Sequence, residues 1–224
     1  MNTRIILLSI LLVFGSLYTN AQKIRTGGLL PAFSYTKKHN DLWRSNFKWE
    51  SRQLFYNELE GQPNDRSFQY VLSDFSYIIS RKIRLQNTLS AGYLFRLEEN
   101  RNAHRFIQQF TIVKNYERLR TAHRLVADQT LREEIWTYRG RYRITVEWPL
   151  QGHTLDNKEW YLKVNNEYLN AFSNQQYELE MRFVPLLGYV FSNNQKIEMG
   201  LDYRQAFFSQ INRRNLWLAL TYYI

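Results

Sequence analysis

The chain has 224 residues, no cysteine, and 30 Lys and Arg against 20 Asp and Glu, a formal charge of +10. Without cysteine there is no disulfide framework and no thiolate nucleophile or thiolate metal site. The basic excess does not read as a nucleic-acid footprint, because Arg and Lys are spread along the chain and interleaved with acids instead of gathered on one patch.

Met1 to Ala21 reads as a cleaved signal peptide, with Arg4 as the charged start, an apolar run from Ile5 to Leu17, and Thr19-Asn20-Ala21 as a small-residue cleavage site. The run is too short for a spanning helix, and no later stretch is long and apolar enough for one. No Cys follows it, which excludes lipoprotein processing. The mature chain is expected to begin at Gln22, and about 200 residues suit one domain.

Residues 22–41 form a segment of uncertain placement. Within it, Leu29 to Thr36 is extended, but Pro31 demotes it to an edge or non-lipid strand. Lys37 to Asp41 reads as a turn. From Leu42 to Ile224 the chain reads as one barrel domain of alternating strands and polar turns.

Leu42 to Tyr56 sets Trp43, Phe47, Trp49 and Phe55 against Arg44, Lys48, Glu50 and Arg52. Asn57 to Arg66 is a polar loop. Ser67 to Ile79 follows, and after a turn at Ser80 to Lys82 comes Ile83 to Leu97, with Arg84 and Arg96 opposite Leu85, Leu89, Tyr93 and Phe95. His104 to Asn115 and Leu119 to Leu131 alternate less cleanly, with Arg105, Gln109, Arg124, Asp128 and Thr130 as inward candidates.

The clearest signature is Trp136 to Trp148. Trp136, Tyr138, Tyr142, Ile144, Val146 and Trp148 fall on one face, and Arg139, Arg141, Arg143 and Glu147 on the other. Successive strand side chains point to opposite faces, so one face is greasy and the other ionic. After a polar connection at Pro149 to Lys158, the pattern repeats in Trp160 to Leu169 (Lys163 and Glu167 inward) and Tyr177 to Val190 (Glu180 and Arg182 inward). Lys196 to Phe208 carries Glu198, Asp202 and Arg204 inward, and Arg213 to Ile224 ends on alternating Leu and Tyr.

A soluble sandwich would bury the greasy face and have to pack nearly a dozen large aromatics. A membrane barrel turns that face to lipid and the charges to the lumen. The strands also run to about 12–15 residues, where a spanning strand needs about 9–11 and a globular one about 5–6. The sequence thus predicts an all-β, antiparallel transmembrane β-barrel of ten strands, twelve if one is missed. An even count leaves both ends on the periplasmic side. A narrow barrel fills with side chains, and unpaired buried charges are costly, so an ion-pair network plugging the lumen is expected. Its members are Arg84, Arg124, Asp128, Arg139, Arg141, Arg143, Glu167, Glu180, Arg182, Asp202 and Arg204.

In order and spacing, Leu30-Pro31, Asp74, His104-Arg105, Gln108-Gln109, His123-Arg124, Asp128-Gln129-Thr130, Arg141-Tyr142-Arg143, Asn166-Glu167, Glu180-x-Arg182 and Asp202-Tyr203-Arg204 resemble a known family. The chain is similar, over most of its mature length, to the outer-membrane β-barrels grouped as domain of unknown function 2490. The resemblance implies an exported barrel of the bacterial outer membrane, with outer-membrane lipids and the insertion machinery as partners. It supplies no activity and no catalytic residues.

A lipid hydrolase would need a nucleophile, a base and an orienting acid within hydrogen-bond reach. The candidates are Ser73 or Ser90, with His104, His123 or His153, and Asp74 or Asp128. No G-x-S-x-G or H-E-x-x-H pattern supports them, and alternation places His104 and His123 near opposite rims. Asp74, Asp128 and Asp202 could serve as metal ligands, but their separation among strands favours structural ion pairing, and no cofactor is indicated. The Arg139-Arg141-Arg143 ladder reads as paired with Glu178, Glu180 and Glu167, or alternatively as an anion path. The sequence therefore predicts a non-enzymatic structural or partner-binding barrel, with a small anion-preferring channel and a lipid-modifying hydrolase as the alternatives.

Overall fold

The computed structural model describes residues 23–59, 68–99, 101–207 and 212–224. The signal-peptide reading and most of the Asn57–Arg66 loop lie outside them. The strands are β1 (Lys23–Lys38), β2 (Trp43–Leu59), β3 (Gln69–Lys82), β4 (Asn87–Glu98), β5 (Asn102–Asn115), β6 (Arg120–Arg132), β7 (Ile135–Pro149), β8 (Trp160–Ser173), β9 (Gln176–Ser192), β10 (Gln195–Phe207) and β11 (Asn212–Tyr223). They close into one barrel in which every chain neighbour pairs antiparallel and β1 meets β11. Among the described residues there is no helix.

The count corrects the expected ten or twelve, and one seam is not antiparallel. β1 and β11 run parallel from Lys23↔Asn212 to Ser34↔Tyr223. An odd number of alternating strands leaves the first and last pointing the same way, so closure demands a parallel seam. The last residue joins it: Ile224 donates its N–H to the Ser34 carbonyl at 2.9 Å and accepts from Thr36 at 2.7 Å. Pro31 does not keep β1 out of the barrel. Its missing N–H coincides with a gap in the β1–β2 register at Leu30 and Pro31, while the β1–β11 register runs on through Pro31↔Leu220.

A second correction concerns Arg84. Residues Ile83–Gln86 form the β3–β4 turn, with the N–H groups of Ile83 and Arg84 both aimed at the Asn87 carbonyl (3.0 and 3.3 Å). The alternation Ile83/Leu85 continues into this turn by coincidence, and Leu85 is 91% exposed. Arg84 is exposed at the barrel's end, away from the lumen.

Polarity is inverted relative to a water-soluble fold. Leu216, Leu218 and Leu220 on β11 and Trp136 and Trp148 on β7 are exposed on the outer wall, while Asp128, Glu167 and Glu198 are 2% exposed or less. The end where β1 begins, here the entry end, carries two two-residue hairpins. Glu133-Glu134 (φ 45° and 67°) and Asn174-Gln175 (φ 46° and 63°) both hold two consecutive left-handed residues. That is the type I′ geometry, which matches strand twist but favours Asn-Gly. Replacing Glu133-Glu134 with Asn-Gly should therefore stabilise the barrel by about 1 kcal/mol, read as a higher urea midpoint of tryptophan fluorescence in detergent micelles.

Candidate functional site

The lumen holds a cavity of about 1300 Å3. At the entry end its wall includes the turn residues Glu133 and Asn174. Toward the end where β11 finishes, the exit end, it stops at a layer containing Lys48, Ile78, Lys163, Glu198 and Tyr223, and no exit-end turn residue lines it. Among the described residues, fourteen Lys and Arg line it against eight Asp and Glu. Asp128 and Glu98, wedged behind the guanidinium groups, bring the acids to ten, so the cavity stays cationic.

The wall is built of charge pairs, many of them within one strand or between neighbours. Asp128, with no side-chain exposure, takes Arg139 at 2.5 Å, Arg141 at 2.9 Å and Arg105 at 3.6 Å. Thr130 steadies two of these cations by accepting from Arg105 (3.0 Å) and Arg139 (2.7 Å). Asp74 receives Arg96 through two hydrogen bonds of 2.7 Å. Glu167 lies between Arg143 (2.7 Å) and Arg182 (3.3 Å), and Arg182 also reaches Glu180. Asp202 and Arg204, two residues apart on β10, form a two-pronged pair at 2.9 and 2.7 Å. Nearer the entry end, Glu98 holds Arg132 at 2.7 Å and Glu178 holds Arg213.

The exit-end layer is centred on Glu198. Its carboxylate accepts from Tyr161 (2.7 Å), twice from Lys163 (2.8 Å) and from Tyr223 (2.9 Å), with Lys196 at 3.5 Å. Tyr161 has no exposed surface. Its ring fits because its cross-strand neighbour is Gly188, where a Cβ would lie 2.2 Å from the ring. This floor was not among the sequence-read site residues. The parity that put Trp160 and Leu162 outside already put Tyr161 inside, opposite a glycine.

Of the residues read from sequence, Arg124, Arg139, Arg141, Arg143, Glu167, Glu180, Arg182, Asp202 and Arg204 line the cavity. Asp128 lies just behind its guanidinium partners, and Arg84 lies elsewhere. The network does not plug the lumen: its members pair along the wall, which leaves the centre open. Arg143 meets Glu167, but Arg139 and Arg141 turn to Asp128 on the preceding strand instead of Glu178 and Glu180 on β9.

The nucleophile, base and acid candidates read from sequence do not come together; the Ser–His contact that does form is His39 Nε2 with Ser45 Oγ at 2.8 Å, beside the β1–β2 turn. His104 pairs with Tyr93 (2.5 Å) and His123 with Tyr142 (2.8 Å), and both histidines are on the outer wall. His153 is in the β7–β8 turn near Glu117 and Arg118. Ser90 donates to Ser80, Ser73 faces away from Asp74 along β3, and Asp74 and Asp128 are engaged by arginines. Among the described residues no group of His, Asp and Glu is arranged to hold a metal.

Fold and site together define a closed eleven-stranded β-barrel with an ionic, cationically biased interior and an apolar exterior. The chain belongs to the family described as protein of unknown function DUF2490, which matches residues 29–215. No curated protein and no solved structure matches it.

Removing a single partner from a buried charge cluster leaves the other charges uncompensated, at a cost of about 3 kcal/mol. Asp128→Asn should therefore destabilise the barrel by about that amount in urea unfolding. Adding Arg105→Gln, which removes one of the stranded cations, should recover part of the loss.

Proposed function

We propose that this protein is a bacterial outer-membrane β-barrel, exported by a cleaved signal peptide, whose lumen is a cationic well. The well is open at the entry end and shut at the exit end, and it serves to bind an anionic partner. The observation that carries the reading is the Tyr161–Glu198–Lys163–Tyr223 floor beneath a cavity lined by an excess of Arg and Lys.

The membrane part of the reading is supported by the outer wall. Strands of 12 to 17 residues exceed the roughly 9–11 needed to span hydrocarbon. Large aliphatic and aromatic side chains cover the exterior, and every strand has hydrogen-bonded neighbours on both sides, leaving no open edge. A through-channel needs a continuous aqueous path, and a hydrolase needs a nucleophile beside its base. The buried Tyr161 argues against the first, and the separate tyrosine partners of His104 and His123 argue against the second.

In planar bilayers the purified barrel should show no steady conductance. Tyr161→Ala combined with Tyr223→Ala should open the floor and give a current preferring anions over cations. A steady wild-type current would rule out the closed well, and recovery of the exported chain as a soluble periplasmic protein would rule out the membrane assignment.

A further inference from the structure

We propose that the well takes an amphiphilic anion, with Arg124 receiving a phosphate or carboxylate head and the apolar strips of the lumen wall receiving a hydrocarbon body. This rests on the reading of the lumen as a closed well and names the class of its ligand.

The first support is a cation that stands apart from the rest. Of the fourteen Lys and Arg lining the cavity, thirteen have a carboxylate within 4.0 Å among the described residues. Arg124 alone has none. Its Nε is buried without a hydrogen-bond partner, and the residue directly across the β6–β7 ladder is another cation, Arg143. Like charges facing each other across a ladder repel, and a buried cation without a counter-ion is costly. Arg143 is already committed to Glu167 at 2.7 Å. An anionic head entering the cavity supplies the missing charge.

The second support is independent of charge. Apolar side chains interrupt the ionic wall, and two clusters of them border the cavity. Leu94, Ile107 and Val126 form one, and Val126 is two residues from Arg124 on the same face of β6. Leu30, Trp217 and Ala219 form the other, with Leu54 and Leu186 packed against it; Leu30, Ala219 and Leu186 are its cavity-lining members. The two clusters are separate, so the cavity runs past both. Neither strip serves an inorganic ion. A hydrocarbon chain held beside Arg124 covers such a strip, and each buried methylene strengthens binding roughly fourfold.

The test is isothermal titration of the mature barrel in amphipol with hexyl phosphate, hexanoate, inorganic phosphate and hexanol. Hexyl phosphate, hexanoate or both should bind once per barrel, at least 30-fold more tightly than inorganic phosphate and hexanol, and the preferred one of the pair identifies the head group. Lengthening that ligand by two methylenes should tighten binding roughly 15-fold. Arg124→Gln should weaken it at least tenfold. The same variant should unfold at equal or higher urea than wild type, because it removes an uncompensated charge, whereas a merely structural arginine would show the opposite. Val126→Asn should erase the advantage of the alkyl chain and leave inorganic phosphate unchanged. Absence of saturable binding, equal affinity for inorganic phosphate and both amphiphiles, or indifference to Arg124→Gln would overturn the proposal. A conducting wild-type barrel instead overturns the closed well and does not bear on these titrations.

Discussion

A guanidinium held against the inner wall of a narrow barrel is stable only if a carboxylate is within reach, and this requirement organises the interior. Each acid serves more than one purpose where it can. Asp128 neutralises part of the charge of three arginines, Glu167 bridges β7 and β9, and Glu198 ties β8, β10 and β11 together at the floor. The Asp128 and Glu167 contacts join strands that the backbone ladders also join, whereas those of Glu198 reach past β9 to β8. They also run along the wall, because cross-strand neighbours and residues two apart on a strand are close, whereas the opposite wall is not. That geometry keeps the centre of the lumen open.

Closure of the barrel imposes a separate constraint. Eleven strands put the start of β1 and the end of β11 at opposite ends and force a parallel seam, in which ladder bonds are slanted and slightly weaker. The seam is compensated locally. Trp217 packs inside against Leu30 and Ala219, the Arg52 guanidinium sits over its ring at 5.3 Å, and Ile224 extends the pairing to the last residue. A parallel seam leaves no mark in the alternation of either strand, so the pattern of greasy and ionic residues argued for an even count. Pro31 reinforced that argument, since a ring without an N–H looks misplaced in a strand flanked on both sides.

The two faces of each strand were legible because their period of two is enforced by the peptide backbone, and a strand of a dozen residues repeats it often enough to stand out. Nearly all the charges read as inward line the cavity for that reason. Arg84 failed where Ile83 and Leu85 carried the rhythm into a turn. Partner identities were not legible, because they depend on register. Register across β6 and β7 follows from the two-residue turn at Glu133-Glu134, which pairs Arg132 with Ile135 and, four rungs on, Asp128 with Arg139. The same arithmetic from Asn174-Gln175 pairs Glu167 with Arg182. Neither dipeptide has the Asn-Gly form by which such turns are recognised, so the arithmetic had no visible starting point.

The contrast between thirteen cations with a carboxylate within reach and one without bears on what the lumen is for. Had selection acted on stability alone, Arg124 would be the first of these charges to be lost: replacing it with an uncharged residue removes a repulsion against Arg143 and leaves no carboxylate unpaired. The apolar side chains beside it, Leu94, Ile107 and Val126, pack on one another and still border the cavity. The unpartnered guanidinium and this apolar strip lie next to one another on β4, β5 and β6. A bound molecule with a charged head and an oily body turns both into favourable contacts at once. In the proposed well, the layer at Glu198, with Tyr161 fully buried in it, is where such a molecule would stop.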